Sequence, residues 1–394
     1  MTTKLADERA LAALDRFEIE LPSWGFADTG TRFGKYPQPA AAHTLEEKFA
    51  DAAQVHVYGG CAPRLALHAL WDLPGGEAAP ARALAESYGL RIGSIHPNLF
   101  QEIEYKHGSL ANEQDAVRAK AQAHVADCIR LARELQCREV SLWLADGSNY
   151  PGAADIRGRR KRLEAALRAA HAALPPGLRL LVEYKPFEPA FYHTDIADWG
   201  MALLLARAAG PQARVLVDTG HHYPGQNIEQ IVAWLLAEDM LGGFHFNDRR
   251  YADDDLTLGS IDPYQIFRIF VEIQAWEAEN GRPAGLSYMI DQSHNLKPKI
   301  EAMLITALRA QELWAKAARV DAAALAAHRA AQRLVDAEEM LQAAFWDDVR
   351  PLARRWREAR GCPADPLAAF RASGYAEKAA AARAHHRSAG ASYA

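Results

Sequence analysis

The sequence predicts a (β/α)8 barrel, an α/β fold of eight parallel strands, each followed by a helix, closed into a cylinder. Three observations carry that expectation. Eight short apolar segments alternate with longer helix-patterned segments before residue 300 of a 394-residue chain. Several of them are continuously apolar, as strands covered on both faces are. Polar, chemistry-bearing residues recur at the C-terminal ends of the apolar segments, where such barrels gather their functional groups. The rival is an open doubly wound sheet, but no Gly-rich dinucleotide turn follows the first strand.

The strands fall at 17–22 (FEIELP), 64–70 (RLALHAL), 90–96 (LRIGSIH), 139–144 (EVSLWL), 178–184 (LRLLVEY), 214–218 (RVLVD), 242–247 (GGFHFN) and 285–291 (GLSYMID). Before them, "MTTKLADERALAALDRF" reads as an amphipathic helix without an apolar leader core. Thr44 and Glu47 form a capping box ahead of Leu45, Phe49 and Ala52. A helix over 77–88 stops at Gly89. Another, over 109–136, begins at Ser109 and carries Val125, Cys128, Ile129, Ala132 and Leu135 on one stripe. Pro175-Pro176-Gly177 separates a helix over 157–173 from the fifth strand. The barrel domain is therefore drawn at 1–300. Residues 301–394, rich in Ala, Arg and Glu, are expected to form a helical C-terminal extension that packs on the barrel or joins subunits, its last stretch fraying.

Composition narrows the function. Hydrophobic residues make up 49% of the chain, enough for a large core, and the formal charge of −5 leaves no basic face for nucleic acid or anionic lipid. No run of 18 apolar residues occurs, so a soluble cytoplasmic protein is expected. Cys61, Cys128, Cys137 and Cys362 are scattered without CxxC spacing, which suits free thiols in a reducing compartment.

The strand ends hold the chemistry. Strand two supplies His68, then Trp71 and Asp72, and strand four Trp143 and Asp146. Strand five closes on Glu183-Tyr184-Lys185, where Glu183 and Lys185 share a face because the strand period is two. A structural ion pair would explain those two alone. It does not explain Glu183, Asp218, His245 and Asp291 at four successive strand ends, since three converging carboxylates repel without a cation. Oxygen and nitrogen donors of this kind suit Mn²⁺, Mg²⁺ or Co²⁺, and the lack of thiolates argues against a structural zinc site. In "NDRRYADDDLTLG", Asp253 and Asp255 are spaced to turn toward a second cation, with His221 as nitrogen partner. Taken alone, the acidic run reads as a solvated loop. His222 is expected to pack, and His96 to line the mouth as a satisfied polar residue.

The segments "LVEYKPFEPAFYHTDIADWG", "VLVDTGHHYPGQNIE", "FHFNDRRYADDDL" and "DQSHNLKPKI" resemble the bacterial, broad-specificity L-rhamnose isomerases, a branch of the xylose isomerase-like TIM barrels. The resemblance runs from "SWGFADTGTRFGKYPQPAAA" to "AAFRASGYAEKAAA". It implies two divalent ions per subunit, typically Mn²⁺: a structural one on Glu183, Asp218, His245 and Asp291, and a catalytic one on His221, Asp253 and Asp255 with a carboxylate of the first set nearby. It implies Lys185 beside the sugar's O1, His68 for ring opening, and Trp71 and Trp143 as aromatic walls. Phe33 matches a loop that reaches a neighbouring subunit's site, which implies a homotetramer. Xylose isomerases proper carry a glutamate after strand six and a carboxylate on strand seven, where this chain has Asp218 and His245. The departure favours the rhamnose branch.

The expected reaction is aldose–ketose isomerisation of an unphosphorylated sugar, L-rhamnose to L-rhamnulose first among several. No phosphate cradle is present, and no uncommitted glutamate offers itself as a carbon base, so a direct 1,2-hydride shift is preferred to an enediol. A ketose 3-epimerase, with one ion and two acid–base glutamates, and a non-catalytic sugar- or metal-binding protein are the alternatives. The trio His221, Asp253 and Asp255 speaks against the first, and Lys185 against the second.

Overall fold

In the computed structural model, which describes residues 3–31, 34–148, 150–188 and 192–386, eight parallel strands pair in sequence order, the first closing on the last. They are β1 (Glu20–Pro22), β2 (Arg64–His68), β3 (Arg91–His96), β4 (Glu139–Leu142), β5 (Arg179–Glu183), β6 (Ala213–Asp218), β7 (Leu241–Phe246) and β8 (Ser287–Ile290). The expected barrel is therefore the fold, and each strand lies inside the segment read for it or within a residue of it.

Eight helices follow the strands in turn: α1 (Leu45–Gly59), α2 (Ala78–Ser87), α3 (Asp115–Glu134), α4 (Ile156–Ala172), α5 (Trp199–Ala209), α6 (Ile228–Ala237), α7 (Pro263–Asn280) and α8 (Lys299–Ala318). Their ends obey local chemistry. Glu47 N donates to Thr44 Oγ1 at 3.2 Å while Thr44 N donates to Glu47 Oε2 at 3.1 Å, the reciprocal box that starts α1. Gly60 stops that helix with φ +77°, a left-handed turn that suits glycine. Asp262 caps α7 with Pro263 in its first turn.

Helix α3 corrects one expectation. It begins at Asp115, not Ser109. Ser109 instead gives its backbone N–H and hydroxyl to Asp146, at 2.8 and 2.6 Å, tying the loop after β3 to the loop after β4. A serine ahead of an apolar stripe signals a cap only if no stronger acceptor claims it.

The chain before the barrel forms the helix Thr3–Arg16, which packs on α8. The boundary drawn at residue 300 falls inside α8, whose apolar face rests on α7 and α1 as the eighth helix of the ring. Beyond it, five short helices between Ala322 and Ala382 fold back over the barrel's flank. Trp356 donates to Asp15 at 2.7 Å, and Arg383 grips the fully buried Asp51 with two bonds of 2.9 and 2.8 Å.

The barrel's outer layer is apolar, with Phe17, Phe246, Phe270 and Trp314 packed in tilted and edge-to-face contacts between strands and helices. Its inside is not. Arg179 bridges Glu139 and Ser287 at 2.8 and 3.0 Å, and Ser94 donates to the buried Glu20 at 2.8 Å. Above this floor the inward side chains continue to His68, His96, Glu183 and His245 at the strands' C-terminal ends. Among the described residues, no helix is long and apolar enough to cross a membrane.

Candidate metal centre and sugar site

Register sets the site. Asp218 on β6 pairs directly with His245 on β7, His68 pairs with His96, and Asp291 N donates to Phe246 O at 3.0 Å. Parallel strands in this register carry their last side chains to one level of the cylinder. Two donor sets result. Glu183, Asp218, His245 and Asp291 each place one ligand atom within 4.8 Å of all the others, and so do Asp218, His221 and Asp253.

Asp218 belongs to both sets, and its two oxygens divide the work. Oδ1 accepts from Gly220 N at 2.6 Å and Asn247 Nδ2 at 3.0 Å. Oδ2 lies 3.9 Å from His245 Nδ1 and 3.9 Å from His221 Nε2, with no hydrogen-bond partner. His245 Nδ1 and Asp253 Oδ1 are also buried without a hydrogen bond, although His245 Nδ1 sits 3.3 Å from Glu183 Oε1. Buried polar atoms left unpaired are costly. Orphans that converge from separate elements, in an oxygen-and-imidazole set, fit a divalent cation.

Charge tells the same story. Burial alone would raise Glu183, but the His245 and His221 rings beside it hold it well below the usual carboxylate range. Burial pushes Asp218 up to about 7, and it raises Asp291 as well. Burial opposes charge on His245 and His221. The carboxylates around them nevertheless lift His245 to about 9 and His221 well above an ordinary histidine. A divalent cation bound by these acids and imidazoles would compete with protons for the same atoms.

The two histidines after β6 have different tasks. His221 Nδ1 lies 3.0 Å from Tyr184 O, leaving Nε2 toward Asp218 and Asp253. His222 Nε2 meets the Tyr184 hydroxyl at 2.7 Å, so the expectation that it packs holds. Gly220, just before them, is required by space: a Cβ there would lie 2.7 Å from Asn247 Oδ1 and 2.9 Å from Asp253 Oδ1.

The acidic loop is folded, not merely solvated. Asp254 turns back to accept from Arg250 N and Tyr251 N at 2.7 and 2.8 Å, which frees Asp253 and Asp255 to face the cluster. Asp253 Oδ2 lies 2.8 Å from Lys185 Nζ and 3.6 Å from His221 Nε2. Asp255, at φ +47°, feels Asp253, Asp291 and Asp218, which together with burial raise its carboxyl well above the usual range. It nevertheless stands outside both close donor sets.

The remaining wall is made of rings. Lys185 Nζ is 5.1 Å from the centre of the Trp143 ring, within cation–π reach. Phe100 joins Trp143 to Trp71 at 5.0 and 5.9 Å, and Trp71 meets His68 at 4.1 Å. His68 and His96 both touch Trp24, and His96 faces His245 at 5.5 Å. Burial, then the charge of Lys48, holds His68 down to about 3, so it is neutral at working pH. Phe33 lies outside the described residues.

Sequence reasoning did not single out Trp24, Phe100, Asn247 or Asp254. Trp24 and Asn247 each stand one or two residues beyond a strand end and were within reach of that signal. Trp24 donates its indole N–H to Asp291 at 2.9 Å. Asp254's role depends on which way its side chain turns, which spacing does not fix.

Fold and site together define a parallel barrel with a buried acid–imidazole centre at its C-terminal mouth. The chain matches the xylose isomerase-like TIM barrel family over residues 51–277. A probable sugar isomerase of Mesorhizobium japonicum is 36% identical over 386 residues, covering 96% of this chain and 89% of that protein. One from Rhizobium meliloti is 37% identical over 380 residues, covering 94% and 87%. A solved D-psicose 3-epimerase from Clostridium cellulolyticum overlays with a TM-score of 0.51 at 14% identity, covering 75% of this chain and 96% of that one, and so shares the fold. This chain belongs to the xylose isomerase-like TIM barrel family.

Proposed function

We propose that the protein is a metal-dependent aldose–ketose isomerase acting on unphosphorylated sugars, with L-rhamnose to L-rhamnulose the first reaction to test. The observation that carries the reading is the pair of donor sets sharing Asp218, with Lys185 beside the second. The two relatives described as probable sugar isomerases, similar along nearly their whole length, support the reaction class.

In this reading Glu183, Asp218, His245 and Asp291 hold one ion, and Asp218, His221 and Asp253 hold a second, with Asp255 within reach. Mn²⁺ is the expected metal, and Mg²⁺ or Co²⁺ suits the same donors. A divalent ion there supplies Lewis acidity at the sugar's oxygens. The chain's own residues do the rest. As the ring opens, neutral His68 accepts the anomeric hydroxyl's proton while the C1–O5 bond breaks, and the proton passes on to O5. Lys185 places its ammonium where negative charge grows on O1. Asp253 and Asp255 are the carboxylates positioned to hold the proton that passes between O2 and O1. Trp71, Trp143 and Trp24 cover the sugar and exclude water while a hydride moves from C2 to C1. Solvent deuterium appearing at C1 in near-stoichiometric amount would refute the direct shift.

A ketose 3-epimerase needs one ion and two acid–base carboxylates astride C3. The second donor set is surplus to that chemistry.

Association is part of the proposal. Ile103, Tyr150, Tyr223, Tyr251 and Leu296 are exposed by 50–84%, each on a different loop of the mouth's face. The homotetramer is the assembly the family resemblance implies, and in it these side chains would be covered by further copies of the chain.

The deciding experiment is a panel of free aldoses assayed before and after chelation, with Mn²⁺ added back and the same sample's mass read by light scattering. Aldose–ketose conversion should vanish with the metal and return with it. Conversion untouched by chelation, or epimerisation at C3 alone, would end the proposal.

A further inference from the structure

The second donor set is assembled from the end of β6 with the turn that follows it, 218–223, and from the loop 248–262 after β7. Nothing covalent fixes one against the other. Arg249 does so through its guanidinium. Nε donates to His222 O at 2.7 Å, Nη1 to Thr219 O at 3.1 Å and Nη2 to Tyr223 O at 3.0 Å. Three carbonyls of the β6 turn thus converge on one planar fork, and His221 lies between the first two of them.

The other end of Arg249 is equally fixed. Its N–H donates to Asp248 Oδ1 at 2.9 Å, and Asp248 Oδ2 accepts from Ile261 N and Asp262 N at 2.8 and 3.0 Å. Asp248 and Leu256 exchange two backbone bonds of 2.8 Å, closing the loop that carries Asp253. A rigid loop base therefore reaches across to hold the turn bearing His221.

We infer that Arg249 is a positioning residue that holds His221 in register with Asp253, so that the second ion depends on it and the first does not. The inference rests on the two-ion reading above. The first set escapes because its members stand on strand ends, and Asp218 has its own anchors in Gly220 N and Asn247 Nδ2.

Charge and position predict opposite results, which makes the test sharp. Deleting a nearby positive charge should strengthen cation binding by Coulomb's law. Deleting a clamp should weaken it, by roughly 10–100-fold for groups that orient ligands. Mn²⁺ is titrated into the metal-free full-length protein by calorimetry and electron paramagnetic resonance. The wild type should take up two ions per chain. Arg249→Met should keep the first at unchanged affinity and weaken the second at least tenfold. Arg249→Lys keeps the charge without the three-way fork and should also weaken the second ion. Arg250→Met removes the adjacent exposed charge and should weaken neither. Melting of the metal-free variants within a few degrees of wild type shows that they fold.

Both ions bound by Arg249→Met at wild-type affinity or tighter would overturn the clamp, as would parallel loss of both. A wild type that binds only one ion overturns the two-ion reading itself, and it is recognised before any variant is compared.

Discussion

Lys185 stands two residues beyond Glu183, on the same side of the chain, yet the two side chains do different things. Glu183 faces two imidazoles, while Lys185 reaches Asp253 and lies over Trp143. Removing the ammonium takes no donor from either set. On the proposed reading, Lys185→Met should therefore match the wild type in metal content and fold but lose about 10²-fold or more in turnover, as when one oxyanion-stabilising donor is deleted. Metal analysis and steady-state kinetics on the same preparation check it, and full turnover would take lysine out of the reaction. Much of the site was readable residue by residue, because a carboxylate or histidine that ends an apolar run has few structural excuses. What could not be read was orientation. Asp253, Asp254 and Asp255 are consecutive and chemically alike. Only the folded loop shows that the middle one staples backbone while its neighbours face the cluster.

At the scale of elements, the strands carry polar rungs inside the cylinder. Glu20 on β1 accepts from Ser94 on β3, whose hydroxyl also lies 3.0 Å from His96 Nε2. Burial, then the charge of Glu139, pushes Glu20 up to about 7 against an ordinary 4.5. Native Glu20 therefore keeps its proton between those values, where the unfolded chain has lost it. Stability falls as pH rises through that window, and the full cost applies above it. Glu20→Gln removes the cost. It should stabilise the protein at pH 8 by on the order of 3 kcal/mol, with the gain shrinking to nothing near pH 4.5. Denaturant melts at pH 5 and pH 8 test this, and an equal effect at both would refute it. The apolar runs announced the strands themselves. They did not announce that the inward rungs of β1, β3, β4 and β5 carry Glu20, Ser94, Glu139 and Arg179, because a strand buried on both faces shows no alternation to read. The start of α3 was missed for a related reason: Ser109 looks like a cap until Asp146, distant in sequence, is seen to hold it.

For the whole molecule, the far end of the chain returns to its beginning. Arg383 forms a two-pronged pair with Asp51 on α1 and also donates to Ala40 O, at the base of the loop that follows β1. Burial works against the Asp51 charge, and Arg383 is what counters it. Arg383→Met leaves the buried acid without its counter-charge, the Tyr375 hydroxyl still donating to it at 2.9 Å, and should cost about 3–5 kcal/mol. Adding Asp51→Asn should recover part of that loss, and urea unfolding of the single and double variants measures both. No recovery would mean the pair is incidental. Composition marked residues 301–394 as helical, but which surface those helices cover depends on long-range pairs such as this one, which spacing cannot supply.

On the two-ion reading proposed above, the carboxylate shared by both donor sets would make their occupants interdependent. Two dications held beside one carboxylate would repel each other, so the later arrival would be held less firmly than the first. Filling should then proceed in two separated steps as metal becomes more plentiful. Between those steps the barrel would be folded and half charged, with turnover rising and falling with the surrounding supply of free ion.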